Sequence, residues 1–228
     1  MIFLNGDCSE LLPDVVRSVD NPIIVTDPPF NMGYHYNQYK DRMPEDEYYE
    51  WLKNILSYAP SVVVHYPEQL WKLAFKIGKC PDRIVSWVYP SNTLRQHRDI
   101  GFFGVKPDFN KVRQPYKEDS PKTRKLLAMG TGGARIYDWW EINQVKNTSK
   151  IKTSHPCQMP LEVMNRIVGI LPNECTIIDP FMGSGTTGLA VKTMNEKQNV
   201  DRQFVGIELN NEYFEIAKKR IDGETTSV

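Results

Sequence analysis

Ile177-Ile178-Asp179-Pro180-Phe181-Met182-Gly183-Ser184-Gly185-Thr186-Thr187-Gly188 is the stretch that decides the fold. An apolar run ends in Asp-Pro, residues 183–188 fit G-x-G-x-x-G, and Thr186 to Met194 reads as a helix. Strand, glycine turn and helix in that order are the nucleotide-binding unit of a doubly wound α/β sheet. Glycines let backbone N–H groups approach a ligand. Glu208, which ends the next apolar run twenty residues beyond Gly188, can accept ribose hydroxyl hydrogen bonds. Two details disfavour a dinucleotide. A single strand follows the turn, and an acid at the strand tip repels a pyrophosphate while suiting an amino group. No G-K-[ST] follows, which excludes a P-loop.

Working outward, Gln203–Glu208 predicts another strand and Tyr213–Ile221 a last helix. Upstream, Leu161, Met164, Ile167, Val168 and Leu171 form an apolar helical stripe. Ile23–Thr26, Ser61–His65 and Arg83–Tyr89 read as strands, with helices opening at Pro44 and running from Glu68 to Ile77. Strands alternating with helices predict a mainly parallel α/β sheet. From Pro90 to Lys152 the alternation fails, predicting a catalytic and cofactor-binding domain of residues 1–89 and 153–228 with an insert at 90–152.

The 228-residue chain has formal net charge zero, but the charge is segregated. Residues 83–152 carry 14 Lys+Arg against 6 Asp+Glu, a net of +8. Residues 1–70 are at −7 and residues 153–228 at −3. A basic insert in an acidic scaffold predicts a nucleic-acid surface; a solvated face is the alternative. Mean hydropathy is −0.47. No run is apolar enough to span a bilayer and no signal peptide is visible, so a soluble cytoplasmic protein with no membrane partner is expected. Cys8, Cys80, Cys157 and Cys175 show no metal-ligand spacing, so neither zinc nor another metal is expected.

Asp27-Pro28-Pro29-Phe30 follows the first apolar strand. Asp27 offers carboxylate oxygens, the prolines offer carbonyls without N–H groups, and Phe30 offers an aromatic face. Such a run of acceptors suits the exocyclic amine of a planar base. Together with the glycine turn and His155-Pro156-Cys157-Gln158-Met159-Pro160, it resembles the amino-group DNA methyltransferases, which act on adenine N6 or cytosine N4. The order, catalytic motif first and glycine turn last, is similar to the beta subgroup, and Gly6-Asp7-Cys8 resembles that group's contact to the cofactor adenine.

The resemblance implies a Rossmann-like S-adenosylmethionine-dependent fold with a target-recognition insert. It implies Asp27, Pro28, Pro29 and Phe30 as catalytic residues. Asp179, Pro180, Phe181, Gly183, Ser184, Gly185, Thr186 and Thr187 would cradle the amino-acid end of the cofactor, with Glu208 on its ribose. Asp7 and Cys8 would meet its adenine, Asp27 would border it, and His155 and Gln158 would enter the pocket. Two positions depart from the family: Met159 stands where lysine is frequent, and Phe30 where tyrosine is commoner.

The implied reaction is methylation of the N6 amine of an adenine flipped out of double-stranded DNA. Asp27 favours adenine, because the cytosine-N4 enzymes more often carry serine there. Cytosine-N4 methylation, RNA methylation and a catalytically silent DNA-binding module are the alternatives, with a nicotinamide dehydrogenase as the remaining competitor for the turn. Arg95, His97, Arg98, Lys111, Arg113, Lys122, Arg124 and Lys125 are the candidate DNA contacts. Tyr34, Tyr36 and Tyr39 are a candidate clamp on the base. A homodimer and a cognate restriction endonuclease are compatible partners, in a prokaryotic or phage-encoded, nucleoid-associated setting.

Overall fold

The computed structural model describes residues 1–33, 41–91, 93–117, 119–145 and 157–223. The chain begins β1 (Ile2–Asn5), α1 (Cys8–Ser18), β2 (Pro22–Thr26), α2 (Glu45–Leu56), β3 (Ser61–His65) and α3 (Pro67–Ile77). It continues through β4 (Arg83–Val88), β5 (His97–Phe103), β6 (Arg113–Gln114), α4 (Pro121–Ala128), β7 (Ala134–Arg135) and β8 (Trp139–Glu141). It closes with α5 (Leu161–Gly169), β9 (Thr176–Asp179), α6 (Thr186–Gln198), β10 (Gln203–Glu208) and α7 (Asn211–Asp222).

Eight strands form one sheet in the order β1-β10-β9-β2-β3-β5-β4-β8. The first five are mutually parallel. Their β-branched sequences, such as Ile23-Ile24-Val25 and Val62-Val63-Val64, are buried on both faces, as parallel strands must be when helices cover both sides. Successive side chains alternate between two cores. Ile23, Val25, Val62, Val64 and Ile177 pack with Val163 and Ile167 of α5 and Val191 of α6. Ile24, Val63 and Ile178 pack with Leu12 of α1, Leu52 of α2 and Leu73 of α3. The result is three layers, helices on a sheet on helices.

From β9 the chain crosses to β10 on one side, and from β2 it crosses to β3 on the other. The boundary between β9 and β2 is therefore the topological switch point, and a crevice opens at their C-terminal ends. Asp27 follows β2 and Asp179 ends β9.

Part of the expected insert at 90–152 lies inside the sheet instead. Residues 97–103 are β5, antiparallel between β3 and β4, and residues 139–141 are β8, parallel to β4 at the edge. The segment His97-Arg98-Asp99-Ile100-Gly101-Phe102-Phe103 starts polar and carries a glycine, which hides its strand pattern. The glycine has a packing reason: a Cβ at Gly101 would lie 3.0 Å from Leu70 Cδ1. Trp87 and Trp140 are both buried, and their ring N–H groups donate to the carbonyls of Ile142 and Tyr137. Between β5 and β8 stand the antiparallel pair β6–β7 and α4, a helix with no buried residue.

Candidate functional site

The crevice at the switch point is a cavity of about 600 Å³. Its walls include Gly6, Asp7 and Cys8 after β1, Asp27 to Phe30 after β2, Pro180, Phe181 and Gly183 after β9, and Glu208 at the end of β10. Four parallel strand ends thus converge on one space, because parallel strands point their C-termini the same way.

Asp7 caps α1, its Oδ1 accepting the Ser9 N–H at 2.7 Å. Glu208 is held by two backbone donors, Gly183 N–H on Oε2 at 2.8 Å and Asn210 N–H on Oε1 at 2.9 Å. Burial pushes the Glu208 carboxyl up and those N–H groups oppose it. Cys8 is pushed up to about 12 by burial and by Asp7, so its sulfur is a neutral thiol.

The glycine turn divides between cavity and scaffold. Pro180, Phe181 and Gly183 face the cavity. Gly185 is left-handed at φ 77°, and a Cβ there would lie 3.0 Å from that of Ala217. Ser184 and Thr186 accept from Arg220 Nη1, at 2.9 Å each through the Ser184 carbonyl and the Thr186 hydroxyl. Asp179 is buried and receives the hydroxyls of Thr26 and Thr187 and the N–H of Phe181. Its carboxyl is pushed up to about 7 by burial, with Asp27 adding to the rise. Asp179, Ser184, Gly185, Thr186 and Thr187 are thus packed behind the cavity wall. Gln158 is buried, and His155 lies outside the described residues.

Asp27 sits at the mouth of β2 beside Arg98 of β5, 3.6 Å from Oδ2 to Nη1. Its Oδ1 is buried without a hydrogen-bond partner. Burial raises the Asp27 carboxyl to about 6, and Arg98 opposes that rise. Phe30 stacks on His65 with ring centroids 4.4 Å apart, and the Arg98 guanidinium carbon lies 4.7 Å from its centroid. His65 is held near 3, hence neutral, by burial and by Arg98 and Arg95. Its Nδ1 accepts the Tyr66 N–H, which leaves the proton on Nε2. Nε2–H then donates to the Tyr48 hydroxyl at 2.9 Å, and that hydroxyl donates to the Pro29 carbonyl at 2.7 Å. A three-member relay therefore fixes the Asp-Pro-Pro-Phe turn from below.

Beyond Phe30, Asp41 accepts the N–H groups of Asn31 and Met32 at 2.8 and 3.0 Å. Tyr34, Tyr36 and Tyr39 lie outside the described residues. Trp51, Tyr66 and Tyr89 also line the cavity without being singled out in the sequence. Trp51 sits at helical spacing and reads as core, yet it packs on Phe181 at 5.3 Å.

The candidate DNA contacts separate. Arg98 is turned inward, its side chain 15% exposed. Arg95 lines the cavity, pairs with Glu68 at 2.9 Å and lies over Tyr66. Lys111 donates to the Leu171 carbonyl and Asn173 Oδ1, inside the scaffold. His97, Arg113, Lys122, Arg124 and Lys125 are exposed. Among the described residues no group of three His, Cys, Asp or Glu side chains is placed to hold a metal ion, and no helix is long and apolar enough to cross a membrane.

Solved structures share this architecture. M1.HpyAVI in complex with SAM aligns with a TM-score of 0.61 at 23% identity, over 97% of this chain and 98% of its own. TTHA0409 of Thermus thermophilus, solved with S-adenosyl-L-methionine, aligns with a TM-score of 0.60 at 16% identity, over 100% and 95%. In sequence, the chain is 28% identical to the Type II methyltransferase M.HpaI of Haemophilus parainfluenzae over 95% of this chain and 74% of that protein. It is 25% identical to the DNA adenine methyltransferase YhdJ of Escherichia coli over 96% and 82%. Residues 66–219, more than half of the chain, match the N6/N4 family model described as DNA methylase. The chain belongs to the DNA methylase family.

Proposed function

We propose that the chain methylates the N6 amine of adenine in DNA, with S-adenosylmethionine as donor. The observation that carries this reading is Asp27: a buried carboxylate with one oxygen unpartnered, at the switch point of the sheet, in a cavity large enough for two ligands to meet. The N6 lone pair is delocalised into the ring. Asp27 and the Pro28 carbonyl would accept the two amine hydrogens, releasing that lone pair for attack. Pro28 and Pro29 cannot compete as donors, since they lack N–H groups. Preorganised acceptors of this kind act through positioning and electrostatics.

The residues fit the donor. Glu208 keeps free lone pairs after accepting two N–H groups, as a ribose diol requires, and Asp7 and Cys8 line the same cavity. Phe181 and Gly183 would border its amino-acid end. When bound, S-adenosylmethionine supplies an electrophilic sulfonium methyl. The designation of M.HpaI as a Type II methyltransferase extends the reading to a chain that works beside a restriction endonuclease.

Mass spectrometry of nucleosides from DNA of cells expressing the chain tests the reaction. N6-methyladenine is expected, absent with Asp27→Asn; N4-methylcytosine instead would overturn the adenine assignment. Calorimetric titration of Glu208→Ala with S-adenosylmethionine tests the cofactor. A loss of about 1–3 kcal/mol is expected from the unpaired polar groups, and unchanged affinity would remove Glu208 from the site.

A further inference from the structure

We propose that Arg98 is the positioning residue of Asp27: its guanidinium, seated on the Phe30 ring, keeps the Asp27 carboxylate charged and held by Oδ2, leaving Oδ1 as the acceptor without a protein partner. This inference rests on the role proposed above for Asp27 and goes beyond it, since Arg98 comes from β5 and not from the motif.

The geometry carries the argument. Arg98 Nη1 lies 3.6 Å from Asp27 Oδ2, while Asp27 Oδ1 has no partner. The guanidinium is walled by three aromatic rings, at 4.7 Å from Phe30, 5.3 Å from Trp87 and 5.5 Å from Tyr66. Contacts with aromatic rings attract a planar cation in addition to its ion pair. The side chains of Arg98 and Asp27 are 15% and 17% exposed, so water screens the pair weakly.

Every other ionisable group turned toward Asp27 works against its charge or leaves it unaided. Asp179 on β9 is a second acid in electrostatic contact with it. Burial pushes the Tyr89 phenol after β4 up, so it is neutral, and His65 at the end of β3 is neutral because it is buried beside Arg98 and Arg95. Arg98 is the one cation among the described residues that lowers the Asp27 carboxyl. A buried acid that loses its cation does not remain charged; it takes up a proton. A protonated Asp27 has lost acceptor capacity, and the amine would keep its hydrogens.

The test uses the whole chain, tritiated S-adenosylmethionine and unmethylated genomic DNA, with initial rates between about pH 5.5 and 9.5. The Asp27 carboxyl is followed in parallel by ¹³C NMR of the DNA-free protein, assigned by its loss in Asp27→Asn. For Arg98→Met, the Asp27 midpoint and the acid limb of kcat should both move up by about one pH unit or more, the usual size of an adjacent-cation effect. kcat should recover near pH 9. Arg98→Lys, which restores a charge, should bring both back toward the wild-type position. An Arg98→Met protein whose Asp27 midpoint stays in place, or whose activity is lost equally at all pH values, overturns the inference. So does a folded Arg98→Lys that behaves like Arg98→Met. If Asp27→Asn is itself active, the reading of Asp27 fails; if it is inactive while Arg98→Met matches wild type, the Arg98 inference alone fails.

Discussion

The Thr26 hydroxyl donates to Asp179 Oδ1 at 3.2 Å, and this bond joins the end of β2, which carries Asp27, to the end of β9, which carries the glycine turn. Thr26 and Asp179 are 153 residues apart in sequence, yet the two motifs beside them share one buried carboxylate. The same oxygen accepts the Phe181 N–H, and Oδ2 accepts the Thr187 hydroxyl at the start of α6. Asp179 is therefore a clasp between the two halves of the site.

Replacing Asp179 by Ala leaves two buried hydroxyls and one N–H without an acceptor. Each unpaired group costs about 1–3 kcal/mol, so a loss on the order of 3 kcal/mol is expected in urea unfolding. Asp179→Asn keeps an acceptor at Oδ1 and removes a charge that burial disfavours. It should stay within about 1 kcal/mol of wild type. Equal effects of the two substitutions would show that the clasp contributes nothing beyond its volume.

Ionised Asp27 is a stability cost. Its carboxyl titrates near 6 in the folded protein, above the ordinary 3.8. Between those values the native state binds more protons than the unfolded chain, so stability falls as pH rises through that window. Asp179 acts in the same direction, whereas neutral His65, held near 3, loses stability as pH falls below its ordinary 6.5. Asp27→Asn should consequently raise the melting temperature near pH 8, an effect on the order of 1–3 kcal/mol from a two-unit shift. The gain should vanish near pH 4. Thermal melts at both pH values decide it, and a gain independent of pH would exclude the ionisation as its source.

Tyr48→Phe breaks the relay under the Asp-Pro-Pro-Phe turn. The Pro29 carbonyl loses its donor and His65 Nε2–H loses its acceptor. About 1–3 kcal/mol of stability should go with them. Because the turn holds Asp27 in place, kcat should fall while affinity for S-adenosylmethionine stays close to wild type. A variant that loses stability but keeps kcat would make the relay a purely structural support.

What could be read in the sequence follows physical lines. Strands β2, β3 and β9 are legible because parallel strands buried on both faces need unbroken β-branched runs, and Ile23-Ile24-Val25 and Val62-Val63-Val64 are such runs. The glycine turn and Glu208 are legible because the turn sits at a fixed spacing between β9 and α6 and Glu208 ends the next strand. β5 is hidden by its polar start and by Gly101. α1 is hidden because Pro13 lies inside it, and proline reads as a break. The placement of Arg98 was out of reach for a different reason. Charge counting assigns every arginine of a basic segment to the surface, and only the pairing of β5 between β3 and β4 turns this one toward Asp27. Trp51 shares that fate: helical spacing marks it as core and is blind to what the core touches.

The remaining basic residues make the DNA prediction sharper. Arg98 and Lys111 are committed to internal partners, so the +8 of residues 83–152 overstates what a duplex would meet. Arg113 on β6 and Lys122 and Arg124 on α4 are exposed on elements outside the main sheet. The ion pair of Arg124 with Asp119, at 2.7 Å, has side chains 66% and 74% exposed and contributes little. Counterion release makes log K fall by about 0.9 per phosphate contact for each unit of log salt. Changing Arg113, Lys122 and Arg124 together to Gln should weaken DNA binding and flatten that slope by about 2 to 3, with cofactor affinity unchanged. Fluorescence anisotropy on one duplex across a salt series gives both quantities. Should the triple variant keep the wild-type affinity and slope, the exposed cations of β6 and α4 are a solvated face, and the duplex meets the protein elsewhere.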